Sequence, residues 1–338
     1  MHPLSILALL GTIIQAPTFD ISSYKPLGAD LADGNYQIAP PYANAPELTP
    51  RDGVPKGQVY HFTMDSADSH IYPGISKTQP GTVPYHRNVT VYVPSQYKPG
   101  SPARLIVSQD SMGKNILPTI LDNMINDHKL PPIVAVMLDS GGGDAQGSER
   151  GLEYDTVSGR YAEFIEEEVL PKVAKDYNIV FTKNPNGRMT MGGSSGGAAA
   201  FSMAWFHPDL YRKILTYSGT YVNQQSPLNP VSPHGAWEYH EHLIPQAGRR
   251  PFRIWMEVGE NDLRSKDPES TYHNWVLANV RMANILRGKR YHYQFVFAHD
   301  AGHVDGRVVN QTLPEALEYV WKDYDKPSKT DNQQRLFH

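Results

Sequence analysis

Six residues, Gly192-Gly193-Ser194-Ser195-Gly196-Gly197, restrict this chain more than any other stretch. The apolar, β-prone segment Arg188-Met189-Thr190-Met191 leads in, and small residues followed by Phe201, Met203 and Trp205 lead out, so the run reads as strand, sharp turn, helix. Glycines at such a turn absorb backbone angles that a Cβ disfavours. A serine at the apex is then held exposed beside a helix N-terminus, the arrangement of a nucleophile elbow. Two G-x-S-x-G frames overlap here: the one starting at Gly192 selects Ser194, and the one starting at Gly193 selects Ser195. The competing reading is a flexible or phosphate-cradling glycine loop. A P-loop would close with Gly-Lys-Ser/Thr, and a dinucleotide fingerprint would place G-x-G-x-x-G near an early strand; neither is present.

An elbow makes a demand on the rest of the chain, because an acid and a histidine must follow the serine in that order, each after a later strand. The rhythm of segments suits it. Gln58 to Met64 and Asn88 to Val93 read as an antiparallel opening, separated by loops from Ser66 to Tyr85. Strand and helix then alternate: strands at Arg104 to Ser108, Pro132 to Leu138, the elbow strand, Lys213 to Tyr217, Phe252 to Val258 and Tyr291 to Phe297. Helices are expected at Ile116 to His128, Thr156 to Tyr177 with a possible kink at Pro171, the elbow helix, Thr271 to Leu286 and Leu313 to Trp321. Such alternation predicts an α/β fold with a mainly parallel central sheet and helices on both faces.

Residues 57–326 are therefore expected to form one catalytic domain, with a Pro-rich insertion at 222–251. Prolines from Pro17 to Lys56 break any regular period and point to an extended arm, whose Tyr24, Tyr36 and Tyr42 would lie against the domain. Residues 327–338 read as a polar tail. The apolar run Leu4 to Ile14, bounded by Ala16, is too short to span a bilayer and has the form of a signal-peptide core, so residues 1–16 suggest a secreted or periplasmic protein. Asn88-Val89-Thr90 and Asn310-Gln311-Thr312 fit the glycosylation pattern, which chance also produces often. Over 338 residues the net charge is −4, with no global basic field for nucleic acid. The absence of cysteine excludes disulfides, a thiolate nucleophile and cysteine-held metal.

Two candidate partners for the serine stand at the carboxyl ends of strands, where ligands bind in an open α/β sheet. Gly259-Glu260-Asn261-Asp262 follows Val258, and Asp300-Ala301-Gly302-His303 follows Phe297. The order Ser194, Asp262, His303 is the one an elbow hydrolase requires, with room for one helix and one strand between acid and base. His303 would remove the serine proton and return it to the leaving alkoxide, and Asp262 would hold the imidazole tautomer. Glu260 is the local rival to Asp262, while Asp300 and Asp305 lie too close to His303 in sequence to be preferred. An oxyanion needs two backbone donors. Ser195 supplies one if Ser194 attacks, and Ser111 or Met112, in the loop after Ser108, is the candidate for the other. His234, His240 and His242 sit with Trp237 and Tyr239 in the Pro-rich insertion, which reads as a lid or substrate-lining segment more than as a metal site. Gly141-Gly142-Gly143-Asp144 reads as a loop at the same edge of the sheet.

On Val91-Tyr92-Val93-Pro94, Arg150 with Glu153-Tyr154-Asp155, Gly192 to Gly197, Gly259 to Asp262 and Gly302-His303, residues 85 to 325 resemble the putative-esterase family of α/β hydrolases, which includes feruloyl esterases, esterase D and enterochelin esterases. The resemblance implies the α/β-hydrolase fold and the first serine, Ser194, as nucleophile. It also implies a rim position for Arg150 and Glu153. Relatives commonly carry Asp-Gly after the early strand, whereas Asp110 is followed here by Ser111. Substrate-binding candidates are Asp110, Arg150, Glu153 and Trp237. The expectation is a serine carboxylic-ester hydrolase working through an acyl-enzyme, with no cofactor, metal, nucleic acid or membrane. A feruloyl or other carbohydrate-linked ester leads as substrate. A siderophore ester, acyl transfer on the same residues and a non-catalytic binding protein are the alternatives.

Overall fold

The structure is a computed structural model that describes residues 19–28, 30–75, 81–142, 148–225, 227–322 and 324. The apolar run Leu4 to Ile14, Gly143-Asp144 and the tail 327–338 lie outside the described residues. In chain order the strands are β1 (Lys25–Pro26), β2 (Gly34–Ile38), β3 (Gln58–Asp65), β4 (His86–Val93), β5 (Pro102–Gln109), β6 (Ile133–Leu138), β7 (Val180–Phe181), β8 (Arg188–Gly193), β9 (Lys213–Tyr217), β10 (Arg253–Gly259) and β11 (His292–Ala298). The helices are α1 (Leu117–Asn126), α2 (Glu149–Tyr154), α3 (Arg160–Phe164), α4 (Leu170–Tyr177), α5 (Ser195–Phe206), α6 (Ile244–Gln246), α7 (Trp275–Gly288) and α8 (Gly306–Trp321).

All the strands join one sheet in the order β1-β2-β11-β10-β9-β8-β5-β6-β4-β3, with β7 paired to the start of β5. Neighbours from β1 through β6 in that order are parallel, and β4 and β3 close the far edge antiparallel. Side-chain alternation along each strand divides the core in two. Ile254, Met256 and Val258 of β10 pack on the face covered by α3, α4, α5 and α7, while Trp255 packs on the face covered by α1 and α8. This is a mostly parallel α/β architecture whose strand ends gather the loops after β5, β8, β9, β10 and β11 at one edge.

The arm is built into the sheet. β2 pairs with β11 from Gly34↔Gln294 to Ile38↔Ala298, and with strand-prone residues only at Tyr36 and Ile38 its five residues gave little period-2 signal. Two other elements differ from their expected bounds, and each carries a proline within the helix. α8 begins at Gly306, where Asp305 Oδ1 accepts the Arg307 amide at 2.9 Å, and it continues through Pro314. Pro314 lacks the N–H that would bond the Asn310 carbonyl. The arm residue Ala45 donates to that carbonyl instead, at 3.1 Å. Similarly, the helix expected from Thr156 begins at Arg160, and Pro171 is accommodated by a π turn over Ile165–Val169 in which the Leu170 amide reaches back to Ile165.

Beneath the edge of the sheet lies a buried ion pair. Arg87 Nη1 donates to Glu153 Oε2 at 2.9 Å and to the Asp139 carbonyl at 2.7 Å, and Nη2 donates to Glu153 Oε1 and to Tyr85 Oη. Both side chains are at most 2% exposed. Removing one partner leaves the other charge buried without compensation, so Arg87→Met is expected to cost about 3–5 kcal/mol of folding stability. Urea denaturation of the variant, compared with Glu153→Gln and the double variant, measures it; a loss under about 1 kcal/mol contradicts the pairing.

Candidate active site

The elbow forms as its sequence requires. Ser194 caps α5 at φ +56° and ψ −129°, a strained left-handed conformation for a residue with a Cβ. Its amide donates to the Tyr217 carbonyl at 2.9 Å, and its carbonyl accepts the Gly197 and Thr220 amides at 2.9 and 3.0 Å. Gly192 permits the return of the chain: a Cβ there would lie 2.4 Å from the Gly196 carbonyl carbon and oxygen.

Register then delivers the partners. Gly193, Tyr217, Glu257 and Val296 stand in one row across β8, β9, β10 and β11, so the loops beyond them leave the sheet together. The loops after β10 and β11 are tied by Glu260 N to Ala298 O and Asn261 N to Ala301 O, each 2.8 Å. Across this tie His303 Nδ1 lies 2.6 Å from Asp262 Oδ1, and His303 Nε2 lies 2.8 Å from Ser194 Oγ. Asp262 Oδ1 also accepts the Leu263 amide at 2.6 Å, and the carboxylate is fully covered while the imidazole is 24% exposed. Ser194, His303 and Asp262 thus form one continuous hydrogen-bonded chain. Trp275 stands edge-on to the imidazole, 6.1 Å between ring centres.

Geometry separates the rivals. Ser195 is buried, and its hydroxyl faces Gln224 Nε2 at 3.2 Å, which in turn donates to Asp155 Oδ2. Glu260 Oε2 accepts the Asp300 amide and faces His299 Nδ1, away from His303. Asp305 bonds the Arg307 guanidinium, which with the local backbone amides lowers its carboxyl to about 2. Asp300 is exposed at a turn with φ +54°.

Several expected contacts are not made. The Ser111 amide donates to the Leu138 carbonyl at 3.0 Å and the Met112 amide to the Gln109 carbonyl at 3.1 Å, so neither is open to an oxyanion. Positive φ at Asp110 and Ser111 turns the loop that way. Ser195, first residue of α5, keeps an amide with no intrahelical acceptor. Glu153 is withdrawn from the rim by Arg87, and Trp237 is fully buried beneath the Arg281 guanidinium. Asp110 and Arg150 meet, through Arg150 Nη2 and Nε at 2.6 to 3.2 Å from the carboxylate, and Asp110 stands beside Gly196 of the elbow. The insertion's aromatic residues serve the core: Tyr239 packs on Phe201 and Trp205, and buried His240 places Nε2 3.2 Å from the Tyr221 carbonyl, its pKa lowered by burial to about 3. His234, Glu238 and Glu241 bring three donor atoms within 4.8 Å of one another, with the Glu238 carboxylate placed between His234 Nδ1 at 3.0 Å and His242 Nδ1 at 2.5 Å. Thr220, Gln224 and Trp275 were not anticipated; the one sequence signal for Thr220 was its place directly after strand Lys213 to Tyr217.

Residues 82–319 match the Putative esterase family. The chain belongs to that family. No curated protein matches it. Among solved structures it is similar to a ferulic acid esterase, at a TM-score of 0.57 and 15% identity over 80% of this chain and 99% of that one. It is also similar to the feruloyl esterase module from Clostridium thermocellum complexed with sinapinate, at a TM-score of 0.52 and 17% identity over 84% and 95%. The enterobactin esterase from Shigella flexneri gives a TM-score of 0.56 and 18% identity over 86% of this chain, and the match spans 63% of that protein. At such identities these likenesses establish the α/β-hydrolase fold, and family membership makes the protein an esterase.

Near Asp262 in this esterase lies a second carboxyl. Glu257 is fully buried in β10, and neither of its oxygens has a partner among the described residues. Burial, then the charges of Asp262 and Asp305, raise its pKa well above 4.5. The folded state therefore keeps a proton that the unfolded chain releases, and stability falls as pH rises from the unfolded value toward the folded one. Glu257→Gln is expected to remove that fall: melting temperatures of variant and parent should diverge in favour of the variant as pH is raised above about 5. Parallel curves from pH 5 to 9 contradict a buried proton at this position.

Proposed function

We propose that the esterase cleaves carboxylic esters through an acyl-enzyme on Ser194. The observation that carries this reading is the chain Ser194 Oγ to His303 Nε2 at 2.8 Å and His303 Nδ1 to Asp262 Oδ1 at 2.6 Å. A serine hydroxyl is a poor nucleophile at neutral pH, so the proton passes to His303 Nε2 as the Oγ–carbon bond forms. Asp262 holds the tautomer whose Nε2 is free and stabilises the imidazolium. His303 then gives the proton to the leaving alkoxide, and a water activated by the same imidazole releases the acid. The Ser195 amide, at the positive end of α5, receives the oxyanion.

For the substrate, we favour a feruloyl or other carbohydrate-linked ester. The match extends over 95% and 99% of the two feruloyl-type chains and over 63% of the enterobactin esterase, so the comparison with the former spans a whole catalytic unit. The Asp110 and Arg150 pair gives the elbow a polar, charge-bearing side suited to a hydroxylated alcohol or phenol.

Steady-state hydrolysis of a small p-nitrophenyl ester tests the chemistry. Ser194→Ala should lose on the order of a million-fold in kcat and Asp262→Asn about ten-thousand-fold, with the fold retained. Full activity in Ser194→Ala with loss in Ser195→Ala contradicts the assignment. A panel of methyl ferulate, acetylated xylan and a catecholate siderophore lactone tests the substrate, with the highest kcat/KM expected on the ferulate; preference for the lactone overturns that choice while leaving the chemistry intact.

A further inference from the structure

The loop after β9, Ser218-Gly219-Thr220, touches both halves of the site. Ser218 Oγ accepts the Val304 amide, next to His303, at 2.9 Å. Thr220 holds the elbow twice: its amide donates to the Ser194 carbonyl at 3.0 Å, and its Oγ1 lies 3.4 Å from Ser194 Oγ. Behind it, Trp275 Nε1 lies 3.3 Å from the same Oγ1. Asn279 Nδ2 anchors the loop by donating to the Gly219 carbonyl at 2.9 Å.

The direction of each hydrogen follows from what each group can do. Indole N–H donates only, so Trp275 occupies a lone pair of Thr220. Ser194 gives its hydrogen to His303 Nε2, because Nδ1 carries the hydrogen shared with Asp262. The hydrogen between the two hydroxyls must therefore come from Thr220, which is fully buried and has no solvent to turn toward.

Resting on the assignment of Ser194 as nucleophile, we propose that Thr220 is a positioning residue of the reaction: its hydroxyl, aimed by Trp275, donates to Ser194 Oγ and holds it facing His303 Nε2 and the substrate carbonyl. At 3.4 Å the contact is long for two hydroxyls and weak in the resting enzyme. During attack the Oγ proton moves to His303 Nε2, an Oγ electron pair forms the bond to carbon, and the carbonyl π pair moves onto oxygen. Oγ carries developing charge along that path, and a donor aimed at it strengthens as it does. An interaction stronger in the transition state than in the ground state raises kcat and leaves KM alone.

The test uses the full chain on a p-nitrophenyl ester, with enzyme concentration fixed by active-site titration. Thr220→Val should lower kcat roughly tenfold, the cost of about one hydrogen bond, at unchanged KM, with a melting temperature lower by a few degrees because the buried Trp275 N–H loses its acceptor. Thr220→Ser should restore kcat. Trp275→Phe should lower kcat in the parent and add nothing in the Thr220→Val background, since the indole acts through the threonine. Wild-type kcat in Thr220→Val, or equal loss in the Ser and Val variants, or additive losses with Trp275→Phe, overturns the proposal while Ser194→Ala remains inactive; activity in Ser194→Ala would instead remove the reading it rests on. Should Thr220→Val not fold, Thr220→Ala against Thr220→Ser makes the same comparison.

Discussion

The left-handed turn at Ser194 is the constraint on which the rest of the structure depends. A non-glycine residue at φ +56° costs on the order of 1–3 kcal/mol and persists only where its surroundings over-determine it. Here they do so from several sides. The Ser194 amide is held by Tyr217, its carbonyl by Gly197, Ala198 and Thr220, the close return of α5 past β8 is possible because Gly192 has no side chain, and Gly196 lets the same turn of helix pass Gln109 at the end of β5. Tyr217, Thr220 and Gly192 belong to strand ends or the loop that follows, and Gly196, Gly197 and Ala198 to the first turn of α5, so sheet and helix hold the turn together.

The same sheet sets the distances that chemistry needs. One row of register carries Gly193, Tyr217, Glu257 and Val296; Ser194 and Ser218 stand directly beyond it, and Asp262 and His303 on the loops that follow. Packing of Gly259 against the Ala301 and Gly302 carbonyls, where a Cβ would lie 2.5 Å from each oxygen, locks the acid loop onto the histidine loop. The arm extends this support outward, with β2 covering the edge of β11 and Ala45 completing the hydrogen bonding of α8 around Pro314. A feature far from the serine in sequence thereby steadies the strand whose end bears the imidazole.

Much of this was legible in the amino-acid sequence because it rests on local rules. Alternating apolar runs marked the strands, the glycine turn marked the elbow, and the order of Ser194, Asp262 and His303 after successive strands marked residues that the fold brings into one hydrogen-bonded chain. What sequence reading missed depends on long-range contacts. Glu153 looked like a rim residue, yet Arg87, far earlier in the chain, draws it into the interior. Trp237 looked available to a substrate, yet it is buried against His240, Tyr272 and the Arg281 guanidinium. The amides of Ser111 and Met112 looked open, and only the turn geometry reveals that Leu138 and Gln109 already accept from them. The last helix was expected from Leu313, where the structure has the middle of one, because the distant Ala45 amide relieves the defect that Pro314 creates.

The central claim is that one of two adjacent serines is chemically distinct: Ser194 faces the imidazole from a strained turn, while Ser195 is buried against Gln224 and contributes its amide. Covalent labelling with a fluorophosphonate, followed by peptide mass spectrometry, tests that claim most directly. The account predicts a single stoichiometric adduct on Ser194, lost in both Ser194→Ala and His303→Ala and retained in Ser195→Ala. An adduct on Ser195, or none on either serine in the folded protein, would contradict it.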